Sequence, residues 1–139
     1  MKVLKTSLVD CLILQPDVFQ DSRGFFMETY RSNQFALHAG IPDNFLQDNH
    51  SHSSKGVFRG LHFQKNNPQG KLVRASRGTV LDVVVDLRIE SKTFGKSEVF
   101  EISDKNFHQI WVPPGFAHGF LVTSDVADFQ YKCIQYYDP

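Results

Sequence analysis

The chain has 139 residues, 41% hydrophobic and 22% charged, with 13 Phe and with Lys plus Arg matching Asp plus Glu at 15 each. That length suits one compact domain with a core that needs no disulfide staples, and the composition excludes a disordered chain. Balanced charge gives no support for non-specific binding to nucleic acid or to an acidic membrane, although a few local Arg or Lys could still hold a small anion.

Cys11 and Cys133 are isolated, with no CxxC spacing. They read as two buried thiols in a reducing compartment and not as zinc ligands. No apolar run is long enough to span a bilayer, and Met1-Lys2-Val3-Leu4-Lys5 has no signal-peptide core, so a cytoplasmic protein is expected. There are no repeats, low-complexity segments or linkers, which predicts a single domain over residues 1–139.

In chain order, the first clear punctuation is the turn Asp21-Ser22-Arg23-Gly24. A short helix is predicted from Asn33 to Ala39, with Ser32 as N-cap and Gly40 as its end. His50-Ser51-His52 has HxH spacing but lies in a polar, Ser-rich stretch and reads as a solvated loop. Strands follow at Val57 to Gln64, Lys71 to Ser76 and Thr79 to Arg88, then Val99 to Ile102, Gln109 to Val112, Gly119 to Thr123 and Ala127 to Tyr137. In the clearest of them, Leu81, Val83, Val85 and Leu87 alternate with Val80, Asp82, Val84 and Asp86. Two carboxylates on a half-apolar face point to a partly polar lumen. Short strands separated by regular turns indicate an all-β sandwich or barrel.

Several polar residues fall inside strands: His62, Lys71, His118 and Tyr131, with Tyr137 close behind. Unbroken, the last strand would put Phe129, Tyr131 and Tyr137 on one side. A barrel interior rarely holds His or Lys without partners, so their joint occurrence on neighbouring strands predicts a site. One conflict of parity stands out. Arg59 and His62 are three apart and should face opposite ways, unless Gly60 permits a bulge.

The pattern Pro113-x-Gly115-x-x-His118 resembles the second motif of the cupin superfamily. The first cupin motif, with His-x-His and a following Glu, reads His62-Phe63-Gln64 and Pro68-Gln69 here, so two of that family's metal ligands are missing. His62 and His118 alone make a poor metal site, and no metal is expected.

Within the cupins, the chain resembles the dTDP-4-dehydrorhamnose 3,5-epimerases along nearly its whole length. The shared runs include Asp21-Ser22-Arg23-Gly24-Phe25-Phe26-Met27-Glu28, Gln47-Asp48-Asn49-His50-Ser51 and Val57-Phe58-Arg59-Gly60-Leu61-His62-Phe63-Gln64. They continue with Gln69-Gly70-Lys71-Leu72-Val73-Arg74, Trp111-Val112-Pro113-Pro114-Gly115-Phe116-Ala117-His118-Gly119-Phe120 and Tyr131-Lys132-Cys133. The resemblance implies a cupin-type double-stranded β-helix, a jelly-roll barrel with one short helix. It also implies inversion of C3 and C5 of a dTDP-4-keto-6-deoxyhexose, with no cofactor.

By this resemblance His62 is the general base, Tyr131 the acid on the opposite sugar face, Lys71 the cation beside the C4 enolate and His118 a substrate contact. Asp82 is expected, from strand parity, to orient His118 or Lys71. Arg23 and Arg59 match residues that hold the diphosphate, and Glu28, Gln47 and Asn49 match residues that contact nucleotide or sugar. Phe26 and Tyr137 match aromatics that pack on the thymine. A homodimer with an exchanged N-terminal strand is implied, with Arg23 and Glu28 serving the partner's site.

The family's further C-terminal stretch, which supplies an Asp to the basic His, is not matched in this sequence. Three readings stay open: a piece of a longer enzyme, a substitute acid such as Asp82, or a nucleotide-sugar binder of little or no activity. A metal-dependent cupin using His62 and His118 is the remote alternative.

Overall fold

The computed structural model describes residues 1–138. In chain order the elements are β1 (Lys2–Lys5), β2 (Leu12–Gln15), β3 (Val18–Asp21), β4 (Gly24–Met27), α1 (Ser32–Ala39), β5 (Gln47–Ser54) and β6 (Phe58–His62). They continue with β7 (Lys71–Arg77), β8 (Thr79–Asp86), β9 (Ser97–Ser103), β10 (Gln109–Val112), β11 (Phe116–Val122) and β12 (Val126–Cys133). A six-stranded sheet ordered β1-β2-β10-β7-β12-β5 faces a four-stranded sheet ordered β6-β11-β8-β9, and β3-β4 form a separate two-stranded ribbon. The architecture is the cupin-type all-β jelly roll that the sequence implies.

Alternation decides which face of each strand is buried. Val80, Asp82, Val84 and Asp86 of β8 are all 0% exposed, so the face carrying the carboxylates is the inner one. It meets Val73, Ala75, Ile110, Val112 and Phe129 of the large sheet across one apolar core. A second cluster lies on the outer side of the large sheet, where Phe35 of α1 packs with Leu14, Leu72 and Trp111. Because β10 is covered on both sides, all four of its residues are buried.

Several sequence expectations are corrected. The helix begins at Ser32 itself, and its N-cap is Arg31, extended and making no side-chain cap bond; Gly40 ends it in the left-handed region at φ 64°. β1 to β4 were not placed from the alternation, since four-residue strands are too short to show a clear period. His50-Ser51-His52 is not a loop but the middle of β5, paired along its length with β12. The last strand ends at Cys133, not Tyr137, since the chain turns as Ile134 N–H bonds Gly70 O and Ile134 joins the outer cluster.

The turn after β8 is knotted onto Asp86. Its carboxylate accepts from Arg88 backbone N–H, Nε and Nη2, from Ser91 Oγ at 2.6 Å and from Thr93 Oγ1 at 2.7 Å. Burial alone would raise this carboxyl, but those donors outweigh it and hold the group well below its ordinary 3.8. A depressed carboxylate contributes stability above its unfolded value and loses it as acid protonates the folded state. Asp86→Asn turns an amide donor against these donors, so chemical denaturation at pH 7 should show a loss on the order of 3 kcal/mol. The variant should also lose less further stability than the parent as pH falls below about 4.

Candidate active site

Between β5, the last strand of the large sheet, and β6, the first of the small sheet, a cavity of about 140 Å³ opens at the barrel mouth. Arg59, His62, Lys71, His118 and Tyr131 all line it, with Phe120 and Phe129 as its apolar floor. Those five residues come from four strands, β6, β7, β11 and β12. Lys71 and Tyr131 point inward because β7 and β12 pair in register, Lys71 opposite Cys133 and Val73 opposite Tyr131.

The parity conflict is resolved by a bulge. His62 pairs with His118, but Arg59 pairs with Phe120, so β6 spends one residue more than β11 over this stretch. Gly60 sits there at φ 134°, and the Gly60–Leu61 peptide is cis. A Cβ on Gly60 would lie 2.6 Å from Gly119 Cα, and one on Gly119 would lie 2.7 Å from Arg59 O. Two glycines back to back therefore let β6 press against β11 while Arg59 and His62 both reach the cavity.

Charge is distributed unevenly around the cavity. His118 Nε2 lies 2.7 Å from Asp82 Oδ2, a pair buried on both sides, so Asp82 partners His118 and is not bonded to Lys71 or to His62. The His118 ring stacks on Phe129 at 6.2 Å, and Phe129 stacks on Phe120 at 4.2 Å. Among the described residues no side chain hydrogen-bonds the His62 ring. Lys71 Nζ sits 5.8 Å from the centroid of the Tyr131 ring. Burial lowers the Lys71 ammonium, with the charges of Cys133 and Asp82 pulling the other way. Burial, then the Cys133 charge, push the Tyr131 phenol up, against the pull of Arg59. The phenol thus stays protonated at neutral pH, able to give a proton.

Other sequence candidates lie apart. Gln47 and Asn49 stand on the inward side of β5, where Gln47 Nε2 donates to Asn49 Oδ1 at 3.0 Å and Gln47 Oε1 accepts the Tyr137 backbone N–H at 3.0 Å. The Tyr137 ring is exposed beyond the end of β12 and does not share the face of Phe129 and Tyr131. Arg23, Phe26 and Glu28 are on or beside the β3-β4 ribbon, and none of them lines the cavity. Arg23 is exposed and paired with Asp21, and Glu28 is paired with Arg31. A larger cleft of about 310 Å³ touches Asn49 and Tyr131, but it is lined by Arg74, Gln109 and Lys132 and holds neither His62 nor Lys71. Among the described residues no group of three or more His, Cys, Asp or Glu is arranged to hold a metal ion.

Sequence reasoning missed Ser51 and Ser53. Ser51 lines the cavity, and Ser53 Oγ accepts from Arg59 Nε at 2.9 Å. The signal was there in the alternation Gln47-x-Asn49-x-Ser51-x-Ser53, a polar inward face obscured by its lack of apolar residues.

A jelly roll whose mouth gathers an imidazole, a phenol and an ammonium around one small cavity defines a cupin-type barrel equipped for proton transfer. The sequence profile described as dTDP-4-dehydrorhamnose 3,5-epimerase matches residues 5–139. The chain is 53% identical over 140 residues to the dTDP-4-dehydrorhamnose 3,5-epimerase of Escherichia coli, covering all of this chain and 76% of that one. The enzyme of the same name from Methanothermobacter thermautotrophicus is 48% identical, across 99% of this chain and 74% of its own. The crystal structure of dTDP-6-deoxy-D-glucose-3,5-epimerase from Legionella pneumophila, in complex with dTDP-4-keto-L-rhamnose, superposes with a TM-score of 0.96 at 46% identity, covering 99% of this chain and 73% of that one. A 3'-monoepimerase from Streptomyces bikiniensis, in complex with dTDP-quinovose, gives a TM-score of 0.89 at 30% identity, covering 96% and 68%. The chain belongs to the dTDP-4-dehydrorhamnose 3,5-epimerase family of isomerases.

The bulge is testable by itself. Gly60→Ala forces a Cβ onto Gly119 Cα at a φ that L-residues rarely adopt, and should cost at least ~2 kcal/mol in urea denaturation. Gly56→Ala, with no atom within 4 Å of its added Cβ, should cost only about 1 kcal/mol.

Proposed function

We propose that this chain epimerises C3 and C5 of dTDP-4-keto-6-deoxy-D-glucose, giving dTDP-4-dehydro-L-rhamnose, with His62 as base and Tyr131 as acid. The observation that carries this reading is the single cavity shared by His62, Tyr131 and Lys71. The ligand named in the Legionella pneumophila complex supports the substrate.

A proton on carbon next to a ketone is acidic because its electron pair can move onto the carbonyl oxygen. His62 takes that proton, the C4 oxygen gains the charge, and the Lys71 ammonium stabilises it in a desolvated site. Tyr131 then gives its hydroxyl proton to the opposite face of the same carbon, inverting the centre; the His62 imidazolium releases its proton to solvent and solvent reprotonates the phenolate, which resets both groups. His118, held by Asp82, contacts the sugar from the neighbouring strand. No metal or cofactor is needed for any of these steps.

A cavity of about 140 Å³ is too small for a whole nucleotide-sugar, so it takes the sugar ring. The nucleotide lies at the mouth, its diphosphate on Arg59 and its thymine against Tyr137, with Gln47 and Asn49 lining the approach. Arg23, Phe26 and Glu28 serve the site of a second copy. Two features support such a homodimer with an exchanged N-terminal ribbon. The β3-β4 ribbon pairs with neither large sheet and leaves Phe19 and Phe26 65% and 70% exposed, and β6 leaves Phe58 and Leu61 exposed. The protein acts in the cytoplasm, in keeping with two free, buried cysteines.

A second reading, a nucleotide-sugar binder of low activity, is favoured by one fact: no described side chain orients the His62 ring. The two readings part in deuterated water. The epimerase reading expects deuterium at C3 and C5 and an inverted product, whereas tight dTDP binding without exchange would establish the binder.

Role assignments separate in the same assay. His62→Ala should lower exchange by ~10²–10⁴-fold. Tyr131→Phe should keep exchange while losing inversion, because the base still removes and returns a proton on one face. Loss of exchange in Tyr131→Phe, with exchange kept and inversion lost in His62→Ala, would reverse the two roles. Since burial lowers Lys71, the exchange rate should fall on the alkaline side before pH 10.5, and that limb of the exchange profile should persist in Tyr131→Phe. For the dimer, Arg23→Ala and His62→Ala should each be poorly active alone and should regain activity when unfolded and refolded together, through hybrid dimers with one intact site. A mixture no more active than its parts would overturn the exchange.

A further inference from the structure

We infer that Ser53 is a positioning residue for substrate binding: its hydroxyl fixes Arg59 by the Nε edge and thereby aims the two terminal nitrogens at the ligand's diphosphate. The inference rests on the reading of Arg59 as the diphosphate contact and adds to it the group that makes that contact effective.

A guanidinium offers its N–H donors along two edges, one formed by Nε with a terminal nitrogen and one formed by both terminal nitrogens. Ser53 Oγ takes Nε at 2.9 Å. Among the described residues neither terminal nitrogen has a protein partner and no carboxylate pairs with Arg59. The forked end is therefore left for a bidentate phosphate contact.

Ser53 is a firm acceptor. It is buried to 5% exposure on the inner face of β5, opposite Ala127. The turn that follows is tied down by Lys55 N–H to Asp125 O and Gly56 N–H to Val122 O. Arg59 belongs to the other sheet, so this bond crosses from β5 to β6 at the cavity mouth. It acts on a side chain that the bulge has already turned inward. Without it, Arg59 is a long exposed side chain that loses rotamer freedom only when ligand arrives, and the affinity carries that cost.

The test measures dTDP and thymidine binding by calorimetry, and turnover, on the full chain. Ser53→Ala should raise the Kd for dTDP and the KM for substrate about tenfold, the loss of one charge-assisted bond. It should leave the Kd for thymidine, which has no phosphate, unchanged, and kcat within about twofold. In an Arg59→Lys background, where no Nε–H of that geometry exists, Ser53→Ala should add nothing further. Additive losses, equal weakening of dTDP and thymidine, or an unchanged dTDP Kd would overturn the role of Ser53. An Arg59→Ala variant that binds dTDP as well as the parent would instead overturn the diphosphate reading on which it rests.

Discussion

Gly60 and Gly119 face each other across β6 and β11 with no side chain between them, and the geometry of the site follows from that contact. A regular β6 would send Arg59 and His62 to opposite faces of the sheet. The extra residue in β6 cancels half a period, but only if the backbone there can take a positive φ and lie directly on its neighbour. Glycine on both strands meets both conditions. The imidazole and the guanidinium then reach the same opening, one toward the sugar ring and one toward the anionic tail in the proposed mode of binding.

The rest of the site is a consequence of pairing two sheets that diverge at one end. The large sheet contributes Lys71 and Tyr131, the small sheet contributes His62 and His118, and between their edge strands the core gives way to a cavity. Its floor is aromatic and stacked, Phe120 on Phe129 and Phe129 beside Tyr131, so the polar groups stand in a surface of low polarity. That surrounding lowers the ammonium and raises the phenol, and it strengthens whatever charge interactions occur inside. The buried carboxylates divide the work: Asp82 supports the imidazole at the cavity, and Asp86 ties the turn that leads into β9.

Much of this was legible in the sequence, and the reasons are local. The period-two run of β8 located a strand and a carboxylate-bearing face, and Gln109 to Val112 stood out as a short β-branched and aromatic run between turns. The motif residues His62, Lys71, His118 and Tyr131 announced themselves because polar groups inside apolar strands need partners. The β5 strand was misjudged for the opposite reason. Its residues are polar on both faces, the inner ones because they edge a polar cavity and the outer His50 and His52 because both bond Asp128. Propensity scores polar stretches as loops, whereas this one is held by full pairing to β12.

What the sequence by itself determined, then, was the alternation that makes strands, the glycines that mark unusual backbone, and the chemical types at the site, since each depends only on near neighbours in the chain. Tertiary structure decided the rest: that Asp82 pairs with His118 and leaves the His62 ring without a partner among the described residues, that Ser53 reaches Arg59 across two sheets, and that Tyr137 departs from the face of Tyr131. These depend on register between strands far apart in sequence. A shift of one residue in that register exchanges the two faces of a strand, and it is settled by the packing of the whole core.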